Sequence, residues 1–271
     1  MTTDTGPRRG LDAGAQTTTR YASDGVEIDA CHDVGPSKDL AIVVAHGFTG
    51  SWRRPALRRA VAGLTQHAGV VSFDFRGHGR SGGASTVGDR EVLDLQAALD
   101  WATELDYARV ATVGFSMGAS IVVRHAGLRG LAEPAAQAHG PVAVVAVSGP
   151  ARWYYRGTPA MRRAHWVIER PLGRLVGRLA RGTRIAAHGW DPVPAAPHEV
   201  AGHIAPVPLL IVHGDADHYF PVEHAEQLFG AANHPKELWL EPGFGHAESA
   251  ASPQLVDRIG AWVRTAALDP R

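Results

Sequence analysis

The sequence predicts an α/β protein: a mostly parallel central sheet, helices on both faces and a helical insert late in the chain. Three observations predict it. Short apolar runs, such as residues 40–45 and 70–75, alternate with segments of helical spacing, the pattern of successive βα units. Residues 110–121 compress a buried strand, a sharp bend and a helix into one stretch, with Ser116 at the bend between Gly114 and Gly118. From 151 to 205 the alternation stops and an arginine- and aromatic-rich segment intervenes before strands resume.

The elements follow in order. Residues 1–18 carry Thr, Gly, Asp and Arg without an apolar run, and read as a disordered tail rather than a secretory signal. Residues 19–22 and 26–32 flank Ser23-Asp24-Gly25, a hairpin that opens the sheet antiparallel. Residues 40–45 form a buried strand that ends in His46-Gly47-Phe48-Thr49-Gly50. Leu57, Val61 and Leu64 space a helix over 55–67, stopped by Gly69. The strand at 70–75 leads into Arg76-Gly77-His78-Gly79-Arg80-Ser81. A helix over 89–105 is expected to be capped by Asp89, and the helix after Ser116 to end near Leu128 at Gly130. Strands at 141–148, 209–213 and 236–240 bring the sheet to about eight, with helices at 221–229 and 253–268.

Composition narrows the function. The chain has 271 residues, 45% of them hydrophobic, enough for a large core within one α/β unit. Its 27 basic and 27 acidic residues balance, which argues against a nucleic-acid partner. Cys31 is the single cysteine and reads as a small buried hydrophobe, with no intramolecular disulfide available. No run reaches the roughly 18 apolar residues of a membrane span, and a cytoplasmic protein is expected.

Gly114-Phe115-Ser116-Met117-Gly118 satisfies the G-x-S-x-G elbow, in which a tight turn lifts the serine oxygen clear of the sheet. A serine nucleophile needs a base, and the base an orienting carboxylate. In a sheet of this kind both are sought in loops after strands. Two loops qualify: Gly214-Asp215-Ala216-Asp217-His218-Tyr219-Phe220-Pro221 and Gly243-Phe244-Gly245-His246-Ala247-Glu248. Two other motifs are weaker. His213-x-Asp215-x-Asp217-His218 faintly resembles a metal-hydrolase pattern but lacks a downstream histidine cluster, so no metal is expected. Gly77-His78-Gly79-Arg80-Ser81-Gly82 has dinucleotide spacing but does not open a helix, so no cofactor is expected.

Five ordered motifs carry a resemblance to the α/β-hydrolase superfamily: His46-Gly47-Phe48, the run Asp74 to Ser81, the Ser116 elbow, His213-Gly214-Asp215-Ala216-Asp217 and Gly245-His246. The likeness is to its esterase, monoglyceride-lipase-like and serine-aminopeptidase-like members. It implies the α/β-hydrolase fold with a core at 19–150 and 206–271 and a cap at 151–205. It also implies Ser116 as nucleophile, His246 as base and Asp217 as the orienting acid, with Asp215 as its nearest rival. The backbone amides of Phe48 and Met117 would form the oxyanion hole. His46, Trp153, Tyr154, Trp166 and Phe220 are candidates for contact with substrate. His78 and Asp74 are expected to structure turns. The implied activity is carboxylic-ester hydrolysis. Thioester, amide and C–C bond cleavage, cofactor-free haloperoxidase behaviour, and a slow-turnover sensor on the same scaffold are the alternatives.

The insert carries nine arginines between Arg152 and Arg184, with Glu169 the single acid. Leu172, Leu175, Val176 and Leu179 form one apolar stripe, with Arg174, Arg178 and Arg181 off it. The insert reads either as a cap with a solvated arginine face, or as a lid whose apolar face covers an acyl pocket. In the second case its arginines meet an acidic substrate group, an anionic surface or an acidic partner. A small-molecule substrate with an apolar acyl part is expected, and the sequence leaves the oligomeric state open.

Overall fold

The computed structural model describes residues 15–132 and 140–268. Eight strands form one sheet in the order β1-β2-β4-β3-β5-β6-β7-β8. They are β1 (Gln16–Tyr21), β2 (Glu27–Asp33), β3 (Ala41–Ala45), β4 (Gly69–Phe73), β5 (Val110–Phe115), β6 (Val144–Val147), β7 (Leu209–Gly214) and β8 (Lys236–Glu241). The β1–β2 and β2–β4 pairs are antiparallel and all others parallel. Strand β1 begins inside the expected tail, because Gln16, Thr17 and Thr18 pair with His32, Cys31 and Ala30. The rest of that expected tail, residues 1–14, lies outside the described residues.

Both faces of the sheet are covered, and strand alternation shows it. Ala41, Val43 and Ala45 of β3 join the core under α2 (Glu91–Glu104) and α3 (Met117–Ala132). Ile42 and Val44 join the opposite core, under α1 (Pro55–Leu64) and the C-terminal helix (Pro253–Leu268). Fully buried strands explain why β3 and β5 read as unbroken apolar runs rather than alternating ones.

Two helix ends differ from expectation. Helix α2 starts without a capping side chain, and Asp89 plays no such part. Buried Glu91 turns back to close the preceding loop, accepting the amides of Thr86 and Val87 on Oε1 and that of Gly88 on Oε2. Helix α3 continues through Gly130 to Ala132, since a single glycine costs only about 1 kcal/mol in a packed helix.

Between β6 and β7 lie helices α4 (Pro159–Glu169) and α5 (Pro171–Arg181), then an irregular return, a short helix α6 (Pro197–Val200) and a 3-10 turn (Ala201–Ile204). Val200, Ala201 and Ile204 are buried in the core beneath α3, so the covering part of the insert stops before them. The return is stitched to the core. Arg184 N–H donates to Gly77 O (2.7 Å), Ser85 N–H to Arg184 O (2.7 Å) and Ala186 N–H to Ser85 O (2.9 Å). Among the described residues no helix is long and apolar enough to cross a membrane.

Candidate active site

Strand β5 ends at Phe115, α3 begins at Met117, and Ser116 alone makes the turn, at φ 53°. That left-handed backbone is costly for a side-chain-bearing residue. The flanking glycines are there for space. A Cβ on Gly114 would lie 2.3 Å from Gly118 O, and one on Gly118 would lie 2.2 Å from Ala45 O at the end of β3. Strand, elbow and helix therefore pack backbone to backbone, and the first amide of α3, that of Met117, has no intrahelical acceptor.

His246 follows β8 and reaches over the elbow. Its Nε2 lies 2.9 Å from Ser116 Oγ, and its Nδ1 lies 2.8 Å from Asp217 Oδ2. Asp217 Oδ1 accepts the amides of Tyr219 (2.8 Å) and Phe220 (3.1 Å), which fixes the carboxylate in the loop after β7. Burial opposes ionisation of Asp217, but His246 and these two amides outweigh it and hold its carboxyl below the usual range. The rival Asp215 points elsewhere: its Oδ1 accepts the Gly243 amide at 2.6 Å, shaping the turn before His246.

Several supports were not read from the sequence. Ser148, at the end of β6, accepts the Ala247 amide at 3.1 Å and pins the histidine loop to the sheet. The Tyr219 ring lies against the His246 ring, centroids 4.3 Å apart, with Phe220 at 5.8 Å. Glu248 lines the cavity beside Ser116. A single carbon placed on Gly47 would touch both Ser116 Cβ (3.2 Å) and Glu248 Oε1 (3.7 Å). Burial pushes the Glu248 carboxyl up. The spacing Gly-His-x-Glu is the signal that could have found it, as it places Glu248 on the first turn after the histidine.

The site opens into a cavity of about 920 Å³ beneath α4 and α5. Phe48, Met117, Trp153, Tyr154 and Phe220 line it. Two expected contacts do not. Trp166 is 43% exposed on the outer side of α4, beside a separate shallow dent. His46 is fully buried behind the cavity, where Nδ1–H donates to Gly47 O (2.7 Å) and Nε2 accepts Phe75 N–H (3.0 Å). It ties the loop after β3 to the end of β4. His78 does the same from the other side: Nε2 accepts Thr49 N–H (3.2 Å) and Nδ1–H donates to Arg76 O (3.0 Å). Asp74 ties the same turns, accepting Trp52 N–H at 2.8 Å and Arg80 N–H at 3.0 Å. These contacts shape the loop at 46–50, whose Gly47 lies against Ser116. The apolar stripe of α5 also faces away: Val176 lines the cavity, whereas Leu172, Leu175 and Leu179 do not. Gly173 and Gly177 are the residues of α5 that pack inward.

Burial pushes the imidazoles of His46 and His78 down to about 4, so both are neutral in the folded protein. Free imidazole titrates near ~6.5, so between these values the unfolded chain binds more protons. Their contribution is complete above the unfolded value and is lost as pH falls toward 4. Denaturant unfolding measured down this window should lose stability at about 1.4 kcal/mol per pH unit for each such histidine. His78→Gln, which keeps an acceptor for Thr49, should flatten the slope by that amount; an unchanged slope would count against this origin.

Among the described residues there is no group of three or more His, Cys, Asp and Glu side chains that could hold a metal ion.

Known proteins resemble this chain in the same parts. A family model for the alpha/beta hydrolase fold matches residues 41–132, from β3 through the elbow and α3. The monoacylglycerol lipase of Mycolicibacterium smegmatis is 27% identical over 267 residues, covering 82% of this chain and 87% of the lipase. The uncharacterized protein Rv2307c of Mycobacterium tuberculosis is 28% identical over 223 residues; the match covers 80% of this chain and 65% of the length of that relative. The Pyrococcus furiosus esterase Pf2001 superposes with TM-score 0.70 at 23% identity, over 92% of this chain and 90% of the esterase. A Xanthomonas campestris a/b serine hydrolase without lid superposes at 0.59 with 18% identity, over 94% of both chains. At such identities the structural likeness speaks for the fold. A family match running through the elbow and an eight-stranded sheet of this order show that the chain has the α/β-hydrolase fold.

Proposed function

We propose that this protein is a serine hydrolase that cleaves carboxylic esters through an acyl-enzyme on Ser116. The observation that carries the proposal is the unbroken line Ser116 Oγ–His246–Asp217, with contacts of 2.9 and 2.8 Å, whose serine and histidine line the cavity. Asp217 Oδ2 accepts a hydrogen bond from His246 Nδ1–H, which leaves the Nε2 lone pair facing the serine hydroxyl. Ser116 Oγ attacks the ester carbonyl as its proton passes to Nε2. Negative charge on the carbonyl oxygen is met by the amides of Phe48 and Met117. His246 then gives the proton to the departing alkoxide. Water, deprotonated by the same nitrogen, attacks the acyl-enzyme, and the proton passes from Nε2 to Ser116 Oγ as the acid leaves.

The cavity supports an apolar acyl group. Val167, Ile168, Val176, Ala180 and Ile185 form its far wall, beneath the two insert helices. The similarity to a monoacylglycerol lipase over most of both chains supports the same reading. The test is a fluorophosphonate probe followed by mapping of the labelled peptide, with aryl esters of increasing acyl length assayed alongside. Label on Ser116 and kcat/KM rising with acyl length are expected. Label elsewhere, or none, would overturn the nucleophile; turnover independent of acyl length would overturn the acyl assignment.

A further inference from the structure

Helix α5 turns its apolar stripe to solvent. Leu172, Leu175 and Leu179 are 63%, 50% and 78% exposed. Packing does not require them, because α5 meets its neighbours through glycine. A Cβ on Gly173 would strike the Trp166 carbonyl of α4 at 2.2 Å, and one on Gly177 would lie 3.2 Å from Val167. Single exposed leucines are ordinary, but three on one face within two turns form a surface without a partner among the described residues.

The charge around this surface is one-sided. Of the nine arginines from Arg152 to Arg184, several are held within the fold. Arg156 pairs with Glu169, Arg174 donates to the last carbonyls of α4, and Arg184 donates to Gly83 O. Glu169, the one acid of the segment, is also engaged by His165. Arg163, Arg170, Arg178 and Arg181 are exposed, with no ion pair among the described residues. A second copy would set these cations against their own kind, which disfavours self-association. Residues 1–14 contain too little apolar surface to cover the stripe, with Leu11 their one large aliphatic residue besides Met1.

We propose that the outer face of α5, with the adjoining arginines of α4 and α5, docks on an anionic lipid surface. Leu172, Leu175 and Leu179 enter the boundary between headgroups and acyl chains, and Arg170 and Arg178 meet lipid phosphates. Other residues of the same helix, Val176, Gly177 and Ala180, line the cavity. A docked α5 therefore sets the cavity wall directly beside the acyl phase. Docking stands apart from the hydrolytic reading; delivery of acyl substrates to Ser116 rests on it.

The test is co-sedimentation of the full chain with phosphatidylcholine vesicles, with or without one third phosphatidylglycerol. Partition onto the anionic vesicles, weakened by salt, is expected, and Ser116→Ala should bind as wild type does. Leu172→Ser with Leu175→Ser and Leu179→Ser should lower the partition coefficient by at least about 100-fold. Arg170→Gln with Arg178→Gln should lower it by about 30-fold at low ionic strength. Both variants should keep the wild-type melting curve and, if the hydrolytic reading holds, wild-type turnover of a soluble short-chain aryl ester. Absence of partition, equal partition onto neutral vesicles, or partition indifferent to the leucines would overturn the proposal. So would a leucine-dependent dimer in analytical ultracentrifugation, which would make a second copy the occupant.

Discussion

Ser116→Ala is expected to lower kcat on an aryl ester by roughly 10⁵–10⁶-fold while leaving the fold intact. The hydroxyl is the one group removed, and its neighbours do not depend on it. Asp217 keeps its two amides, the histidine loop stays pinned by Ser148, and the elbow is set by the glycines on either side. A residual rate above that of the uncatalysed reaction should remain from the Phe48 and Met117 amides. Ser116→Gly separates chemistry from strain. It should be equally inactive yet more stable by about 1 kcal/mol, because glycine accepts φ 53° without the cost a Cβ incurs. Steady-state kinetics and thermal unfolding on the same preparations check both statements. An alanine variant within tenfold of wild type would remove Ser116 from the mechanism.

Asp217→Asn is expected to lower kcat by about 10⁴-fold, for a reason specific to this loop. Oδ1 of residue 217 accepts two backbone amides, Tyr219 and Phe220, so an asparagine must place its oxygen there. Its NH₂ then faces His246 Nδ1 and donates to it. The imidazole is driven to the tautomer with its proton on Nε2, where it has no lone pair to take the serine proton. Asp215→Asn provides the contrast. Asp215 is exposed and accepts the Gly243 amide, an acceptor role an amide oxygen reproduces, so kcat should stay within a few-fold of wild type. If the two variants lose activity equally, the tautomer argument is wrong and the loops are merely being disturbed.

Sequence motifs reached far into the site because its parts are local. Ser116, His246, Asp217 and Phe48 each sit within a few residues of a strand end, so a short pattern names both the residue and its place. What the sequence did not disclose is carried by contacts between distant segments. Glu91 closing the loop at 86–88, Ser148 holding Ala247 and Tyr219 lying on His246 leave no periodic trace. Asp89 has a capping residue type, but α2 starts at Glu91 behind Arg90 and no side chain caps it; Glu91 binds the loop before the helix instead. The stripe of α5 was misdirected for a related reason. Hydrophobic spacing identifies an apolar face, yet glycines at 173 and 177 let the helix pack on another side, leaving the leucines outside. His46 was likewise drawn toward substrate by its motif, while its ring is fully engaged with backbone behind the cavity.

The stitch between residues 184–186 and the loop after β4 divides the insert into two mechanical parts. Below it, the return is hydrogen-bonded to the loop after β4, and loosening it would disturb that loop. Beyond it, α4 buries no residue and α5 buries only its two glycines. The energetic cost of opening is therefore graded along the insert, lowest at the helical pair. A swing of that pair would leave the contacts among Ser116, His246 and Asp217 untouched, so it would be kinetically separable from the proposed chemistry.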